Sequence, residues 1–346
     1  MNNTPKISVF TTCLNSGKYL KETINSILAQ DFKDFEIIIV DAGSTDETPQ
    51  ILDNYKTEKR IKVIVEPGIN GQDGFIRAFH ETSGLYVMCM PISDSYNSKS
   101  WFKKCFDILD HNQDISLVHG ISIHNNNNNE YFFGSTTHTT PPSGKDFLAF
   151  WLSTYFAFGE HTYCVRRNIF DECLKRPLPI DFKNFESKFD LRTIERTDFF
   201  FNWCLQFIYN FHTRGYLSEF VPNIAALVRI NKNQVSFKRR KIDVITGEFY
   251  TELVRDYKDS LLKRKAIHVF RNGKGNIIDT LAGSDLKNLS MEVTTYRLFE
   301  KIYFSHKDSL NTFGQKSVFR IKRTIARIVR TFTWYFGSTF FRSKIN

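Results

Sequence analysis

Two runs decide how this chain folds: Ile7-Ser8-Val9-Phe10-Thr11-Thr12-Cys13-Leu14-Asn15-Ser16, and, one helix-length later, Phe35-Glu36-Ile37-Ile38-Ile39-Val40-Asp41-Ala42-Gly43-Ser44-Thr45-Asp46. Each is a short continuous apolar stretch that breaks into polar residues, the pattern of a strand buried on both faces. Between them Tyr19, Ile24, Ile27 and Leu28 recur at near-helical spacing, so the unit reads β-α-β with a right-handed crossover. In an open parallel sheet, small ligands bind beyond the carboxyl ends of the strands. Asp41 stands at that edge. Asp46 precedes the apolar-patterned stretch Glu47 to Tyr55 and suits a helix cap.

These residues resemble the opening of the inverting family 2 glycosyltransferases. That family begins with a strand, a helix ending near Ser-Ile/Val-Leu-x-Gln, and a Val-Asp-Asp/Ala-Gly-Ser-x-Asp loop. Ser26-Ile27-Leu28-Ala29-Gln30 and Val40 to Asp46 match it. The resemblance covers about residues 5–240, is strongest before residue 100, and implies a GT-A fold: a Rossmann-like, mostly parallel α/β sheet flanked by helices. It also implies a nucleotide-sugar donor, UDP-linked, with Thr11, Asn15, Asp41, Glu66, Asp73, Arg77 and Ser93 on the donor side.

Further along, Ile61 to Val65 predicts a third strand, followed by the Gly-rich loop Glu66 to Gly74, a helix over Phe75 to Thr82, and a fourth strand over Gly84 to Met90. Trp101 to Asn112 is amphipathic at helical spacing, and Ile115 to Val118 reads as a strand. The run Asn125 to Asn129 predicts a loop. Residues 143–213 are aromatic-rich and read as largely helical, with the segment Phe156 to Phe170 resembling a family element of a strand followed by two arginines. In such enzymes this region shapes the acceptor side. Val244 to Arg264 is the clearest of several amphipathic helices over 240–310. The division expected is a GT-A domain over 1–240, a helical extension over 241–315 and a basic amphipathic tail over 316–346.

Glycosyl transfer from a nucleotide sugar needs a seat for the nucleotide, positive charge at the departing diphosphate, and a base for the acceptor's proton. A hard divalent cation held by carboxylates is the common answer to the second need. The resemblance implies Mn2+ or Mg2+ on a strand-end Asp-x-Asp or Ser-Asp-Asp. Here the strand ends Met90-Pro91-Ile92-Ser93-Asp94-Ser95, with the single carboxylate Asp94. Pro91 would stop strand pairing at that point. Asp94 as a turn residue or a cap for the Trp101 helix is the plainer alternative.

The base must approach from the face opposite the leaving group. By resemblance it opens an aromatic helix, which selects Asp198 in Glu195-Arg196-Thr197-Asp198-Phe199, with Glu195 as the runner-up one turn away. First-turn dipole partners are the competing reading of both acids. Arg229 to Ser236 resembles the family's Arg-x-His-x-x-x-x-Ser element near the diphosphate, with Asn231 in place of His. His161 beside aromatic residues suits either an acceptor contact or an internal structural role.

Net charge is +10, and residues 316–346 carry eight of those cations with no acid. From Val318, the apolar Ile321, Ile325, Ile328, Val329 and Phe332 fall on one helical face and Arg320, Arg323, Arg327 and Arg330 on the other, taking about 100° per residue. That predicts an interfacial helix on an anionic membrane surface, or else a helix docked on the domain. With no zinc-finger or RNA-binding signature, nucleic acid is not an expected partner. Six scattered cysteines without a Cys-x-x-Cys pair, a polar start and the lack of a long apolar run predict a cytoplasmic protein, peripheral at the inner face of the membrane. The acceptor class implied is a glycan or a lipid-linked glycan, within cell-surface polysaccharide or glycoconjugate synthesis. Two alternatives remain open: an inactive sugar-nucleotide-binding scaffold, and a membrane-peripheral interaction protein whose tail carries the function.

Overall fold

A computed structural model of the chain describes residues 4–126, 131–133, 139–179, 203–230, 240–263, 266–288 and 294–295. Asp198, Glu195, Asn231 to Ser236 and the basic tail lie outside the described residues.

The β-α-β reading holds. β1 (Ile7–Cys13), α1 (Gly17–Leu28) and β2 (Phe35–Asp41) are followed by α2 (Thr48–Asp53), β3 (Ile61–Val65), α3 (Gly71–His80) and β4 (Tyr86–Cys89). β3, β2, β1 and β4 lie side by side in that order and run parallel. Their registers align the carboxyl ends, Cys13 opposite Asp41 and Asp41 opposite Val65. β1 and β2 are buried along almost their whole length, as unalternated apolar strands demand. On α1, Leu20, Thr23, Ile24 and Ile27 face the interior at three- and four-residue spacing.

Beyond β4 the sheet changes character. β5 (Ser95–Tyr96), α4 (Trp101–His111), β6 (Ile115–Asn126), β7 (Tyr131–Phe133), β8 (Thr139–Thr140), α5 (Phe147–Thr154), β9 (Tyr163–Arg166), α6 (Arg167–Lys175), α7 (Trp203–Thr213) and β10 (Leu217–Ile230) complete this half. The order continues β4-β9-β6-β10-β5, where β9 is antiparallel to both neighbours, β6 and β10 are parallel, and β5 is antiparallel to β10. The sheet is therefore parallel in its first half and mixed in its second. β6 runs on to Asn126 instead of stopping near Val118, because β10 supplies a partner as far as Ile230. The start of the expected Asn125 loop thus belongs to a strand.

Among the described residues of 143–179 and 203–213, most aromatic side chains are core. Phe10, Phe79, Phe170, Trp203 and Phe207 pack at centroid separations of 4.7–6.1 Å, and Phe147, Phe150, Trp151 and Phe158 form a neighbouring cluster. Each such ring contributes about 1.5–3 kcal/mol by burial. The arginines that end β9 and open α6 serve helix ends: Arg166 donates to the carbonyls of Leu109 and Asn112 at the end of α4, and Arg167 to Thr82 just past α3. Cations there satisfy orphaned carbonyls and complement the helix dipole.

Residues 240–288 join the same core. α8 (Arg240–Lys263) covers most of the helix expected over Val244 to Arg264, and its Tyr250, Leu253, Val254 and Leu261 are buried. After α8 the chain forms a hairpin instead of further helix, β11 (Ile267–Arg271) and β12 (Ile277–Ala282), and then a short β13 (Thr294–Thr295) pairs with β8. Trp151 Nε1 donates to Tyr250 Oη at 2.8 Å, and Arg271 N to Gly215 O at 2.8 Å. Gly215 has φ +77, and a Cβ there would fall 1.7 Å from Val269 O, so only glycine lets the hairpin dock. Among the described residues, no helix is long and apolar enough to cross a membrane.

Candidate functional site

The aligned strand ends place four loops along one edge of the sheet. Asp41 closes β2 and is 2% exposed. Its Oδ1 accepts from Ser44 N at 3.1 Å and Ser44 Oγ at 2.6 Å, which curls the Ala42-Gly43-Ser44 turn back over the strand. Burial, and then the neighbouring Asp41 carboxylate, pushes the Cys13 thiol up to about 12. Gly43 has φ +89 and lies against Pro67, tying this turn to the loop after β3. That loop continues alongside β2: Glu66 N donates to Asp41 O and Gly68 N to Ala42 O.

Asn15 answers from the end of β1. Its φ is 49, its N–H donates to Ser44 Oγ at 2.8 Å, and its Oδ1 accepts from Thr45 N at 2.9 Å. Asp46 does cap α2, accepting from Thr48 N at 2.9 Å, and its other oxygen takes Gly17 N at the start of α1 at 3.1 Å. One carboxylate thus pins two helix starts. Among the expected donor-side residues, Asn15 and Asp41 share this edge and Glu66 adjoins it. Thr11 is fully buried within β1. Asn70 caps α3, its Oδ1 accepting from Asp73 N while its Nδ2 donates to the Asp73 carboxylate, and Arg77 pairs with Glu66 and Glu81 on the surface of α3.

The loop after β4 holds the second constellation. Pairing stops before Pro91, as expected. Ser93 adopts φ 152, a region that side chains other than glycine rarely take, and such strain gathers at functional loops. Asp94 is 5% exposed, and the cap position of α4 is held by Ser100 instead. Its Oδ1 accepts from Arg229 N at 3.0 Å and Ser93 Oγ at 3.2 Å, its backbone O accepts from Thr23 Oγ1 at 2.7 Å, and its Oδ2 lies 3.6 Å from His161 Nδ1. Burial raises the Asp94 carboxyl to about 7 against the pull of those donors. Burial, followed by the charge of Asp94, raises Glu160 to the same value. His161 is pushed down to about 3 by burial first and His124 second, so its ring is neutral.

Arg229, at the end of β10, spans this loop. Its guanidinium donates to Ser93 O at 3.1 Å and Glu22 Oε1 at 2.6 Å, and lies 4.9 Å over the Tyr19 ring. The chain thus gathers a buried carboxylate, a cation and a neutral imidazole beside the strand ends. Glu160 and Glu22 escaped the sequence reading. The only signal for Glu160 was its place beside His161.

The family description "Glycosyl transferase family 2" matches residues 8–174. Over that segment, just under half of its length, the chain is similar to a family 2 glycosyltransferase domain. The matched segment holds β1 to β9 and the Asp41, Asp94 and Glu160 positions. Poly(ribitol-phosphate) beta-N-acetylglucosaminyltransferase TarS of Staphylococcus aureus is 35% identical over 118 residues, 33% of this chain and 20% of TarS. A Campylobacter jejuni GalNAc(5)-diNAcBac-PP-undecaprenol beta-1,3-glucosyltransferase is 35% identical over 95 residues, 26% of this chain and 30% of the relative. The crystal structure of S. aureus TarS 1-349 in complex with UDP-GlcNAc has TM-score 0.49 and 17% identity, covering 75% of this chain and 73% of that one. In sequence the match spans about a fifth of TarS.

Proposed function

We propose that this domain transfers a sugar from a nucleoside-diphosphate donor, UDP-linked, to a glycan or lipid-linked acceptor with inversion, in cell-surface polysaccharide or glycoconjugate synthesis. The observation that carries this is the pairing, on one sheet edge, of Asp41 after β2 with the buried Asp94 after β4, inside the segment that matches the family 2 description. The names of the relatives support the acceptor class, one being a poly(ribitol-phosphate) enzyme and another acting on an undecaprenol-linked glycan.

In this reading Asp41 and the Asn15–Ser44 turn seat the nucleoside. Asp94 holds Mn2+ or Mg2+. The Asp94 carboxylate, buried at the strand ends, is the group such an ion would find. A divalent cation there supplies positive charge for the leaving diphosphate. Ser93 and Arg229 fix the Asp94 rotamer, and Arg229 adds a fixed positive charge beside it. Asp198, with Glu195 as the alternative, takes the acceptor hydroxyl's proton, and the hydroxyl oxygen attacks the anomeric carbon as the diphosphate departs from the opposite face. The tail over 316–346 keeps the enzyme on the anionic inner face of the cytoplasmic membrane.

The test is donor turnover on purified protein. UDP release from a panel of UDP-sugars is measured with and without Mn2+. One donor should be hydrolysed slowly without acceptor and faster with a glycan acceptor. Absence of both UDP release and calorimetric UDP binding across the panel overturns the reading in favour of a scaffold.

A further inference from the structure

The hairpin after α8 has two unlike faces. On the inner one His268 and Phe270 are buried, Leu281 packs against the core, and Asp279 is paired with Lys145. On the outer one the register sets Ile267 opposite Ala282 and Val269 opposite Thr280, then slips so that Ile277 stands opposite Arg271 with Ile278 as the extra residue of a bulge. The end of α8 abuts the end of β12, since Gly283 N donates to Ala266 O at 3.2 Å and a Cβ at Gly283 would fall 1.8 Å from Leu261 O. That brings Leu262 beside the hairpin. Of the eight large apolar side chains exposed among the described residues, four belong to this one stretch: Leu262, Ile267, Ile277 and Ile278, at 38% to 66% exposure. A single exposed aliphatic residue is ordinary, but several at one place, rimmed by polar groups, mark a contact surface.

The charge around them has one sign. Residues 262–278 contain Lys263, Arg264, Lys265, Arg271 and Lys274 and no acid. Together with residues 316–346 that makes thirteen cations without an acid, which leaves the rest of a +10 chain net negative. Lys263 is paired with Asp259, an exposed pair of little strength, and Lys274 is exposed in the hairpin turn. Aliphatic side chains ringed by cations complement an anionic lipid surface, where the apolar groups enter the headgroup boundary and the cations meet phosphates. A second copy of the chain would bring the same cations to the face, so self-association there sets like charges together. Among the described residues the outer backbone edge of β12 is unpaired, which suits the hydrated headgroup layer and forbids deeper insertion.

We propose that the outer face of the β11–β12 hairpin rests on an anionic phospholipid surface through Ile267, Ile277 and Ile278, with Lys274 on the headgroups. The inference rests on the proposed membrane attachment and deepens it: the tail brings the protein to the surface, and the hairpin sets which side of the domain faces it. Contact by the hairpin is weak alone and becomes effective once the tail has made it intramolecular.

The experiment places nitrobenzoxadiazole on Ile277→Cys in the full chain and follows its emission with equimolar phosphatidylcholine–phosphatidylglycerol vesicles. Wild type labelled in the same way supplies the background, because Cys204 is the one native thiol that is not buried. The label at 277 should shift to the blue and be quenched by nitroxide-bearing lipid. Ile267→Ser with Ile277→Ser should lower vesicle partition about tenfold, two aliphatic groups being withdrawn from the boundary, while UDP release with a soluble acceptor is unchanged. Vesicle-bound protein with an unshifted, unquenched label overturns the inference and leaves attachment by the tail standing. If wild type does not bind anionic vesicles at all, the inference and the membrane attachment fall together, and the transferase reading is untouched. A label that shifts with rising protein concentration in the absence of vesicles gives the face to a second copy and also overturns the inference. Should the double serine variant not fold, the label at 277 decides.

Discussion

Arg229 donates its backbone N–H to Asp94 Oδ1 at 3.0 Å, joining the end of β10 to the loop after β4 across 135 residues of sequence. The same arginine reaches Ser93 O with its guanidinium, so one residue fixes both the backbone and the carboxylate of the candidate metal-holding loop. This bond comes from the main chain and so survives side-chain replacement at 229. The guanidinium does not.

Asp94→Asn keeps an Oδ1 for Arg229 N and Ser93 Oγ but loses the charge, so the fold should persist while transfer falls by about 10²–10³-fold, the usual cost of removing one electrostatic contributor. Stability should move the other way. Because Asp94 is raised to about 7 when folded, the folded state holds a proton that the unfolded chain has released between about pH 4 and 7, and this group's contribution to stability is lost as pH rises through that window. At pH 8 without metal, Asp94→Asn should melt at or above the wild-type temperature. A lower melting point together with normal turnover would show Asp94 to be structural.

Gly43→Ala tests the nucleoside turn. A residue at φ +89 with its Cβ 3.0 Å from Pro67 Cα is strained twice, by backbone region and by contact. The substitution should cost about 1 kcal/mol or more. It should also raise the donor KM more than it lowers kcat, since Ser44 can no longer curl over Asp41. Equal effects on both parameters would place the turn in the chemical step instead.

The β-α-β unit was legible because unbroken apolar strands and a helical period leave few alternatives, and Asp41 and Asp94 followed from the strand ends. The second half of the sheet was legible only in part. The strand before Arg166-Arg167 followed from the family resemblance alone, and β6 extends only because a distant β10 pairs with it, which has no local signature. The hairpin after α8 was read as helix because Ile267 to Arg271 is too short for its period to separate strand from helix.

Three histidines buried in the aromatic core should make the protein acid-labile. His119 is held to about 3 by burial, His268 is held to about 4 by burial and then Arg271, and His212 lies well below its ordinary value, stacked 5.1 Å from the Phe147 ring. Each is neutral when folded and charged when unfolded below about pH 6.5. Its contribution is therefore complete above that pH and lost as pH falls toward the folded value, at up to about 1.4 kcal/mol per pH unit per group. Urea midpoints should decline between pH 6.5 and 5, and the decline should be shallower in His119→Phe. A flat profile over that interval would mean that these rings are charged or solvated in the folded protein.

The base assignment separates by substitution. Asp198→Asn should lower kcat by about 10²–10⁴-fold with donor affinity nearly unchanged, the signature of a lost general base. Glu195→Gln should stay within a few-fold of wild type. The reverse pattern shifts the proton acceptor by one helical turn. Equal, modest losses would make both acids dipole partners of their helix.

The tail makes a prediction that is independent of the chemistry. Eight cations and no acid over 316–346, beside a continuous apolar stripe, should bind anionic vesicles with on the order of 1 kcal/mol per basic residue near the surface. Because that attraction is screened over about 10 Å at 0.1 M salt, partition should weaken steeply as salt rises, leaving only the contribution of the apolar face. Truncation before residue 316 should abolish vesicle partition while transfer to a soluble acceptor analogue persists. Neutral vesicles separate the two contributions, since a tail that binds them as well as anionic ones acts through its apolar stripe. If the truncated protein precipitates or loses its melting transition, the stripe is packed on the domain and the membrane assignment is wrong.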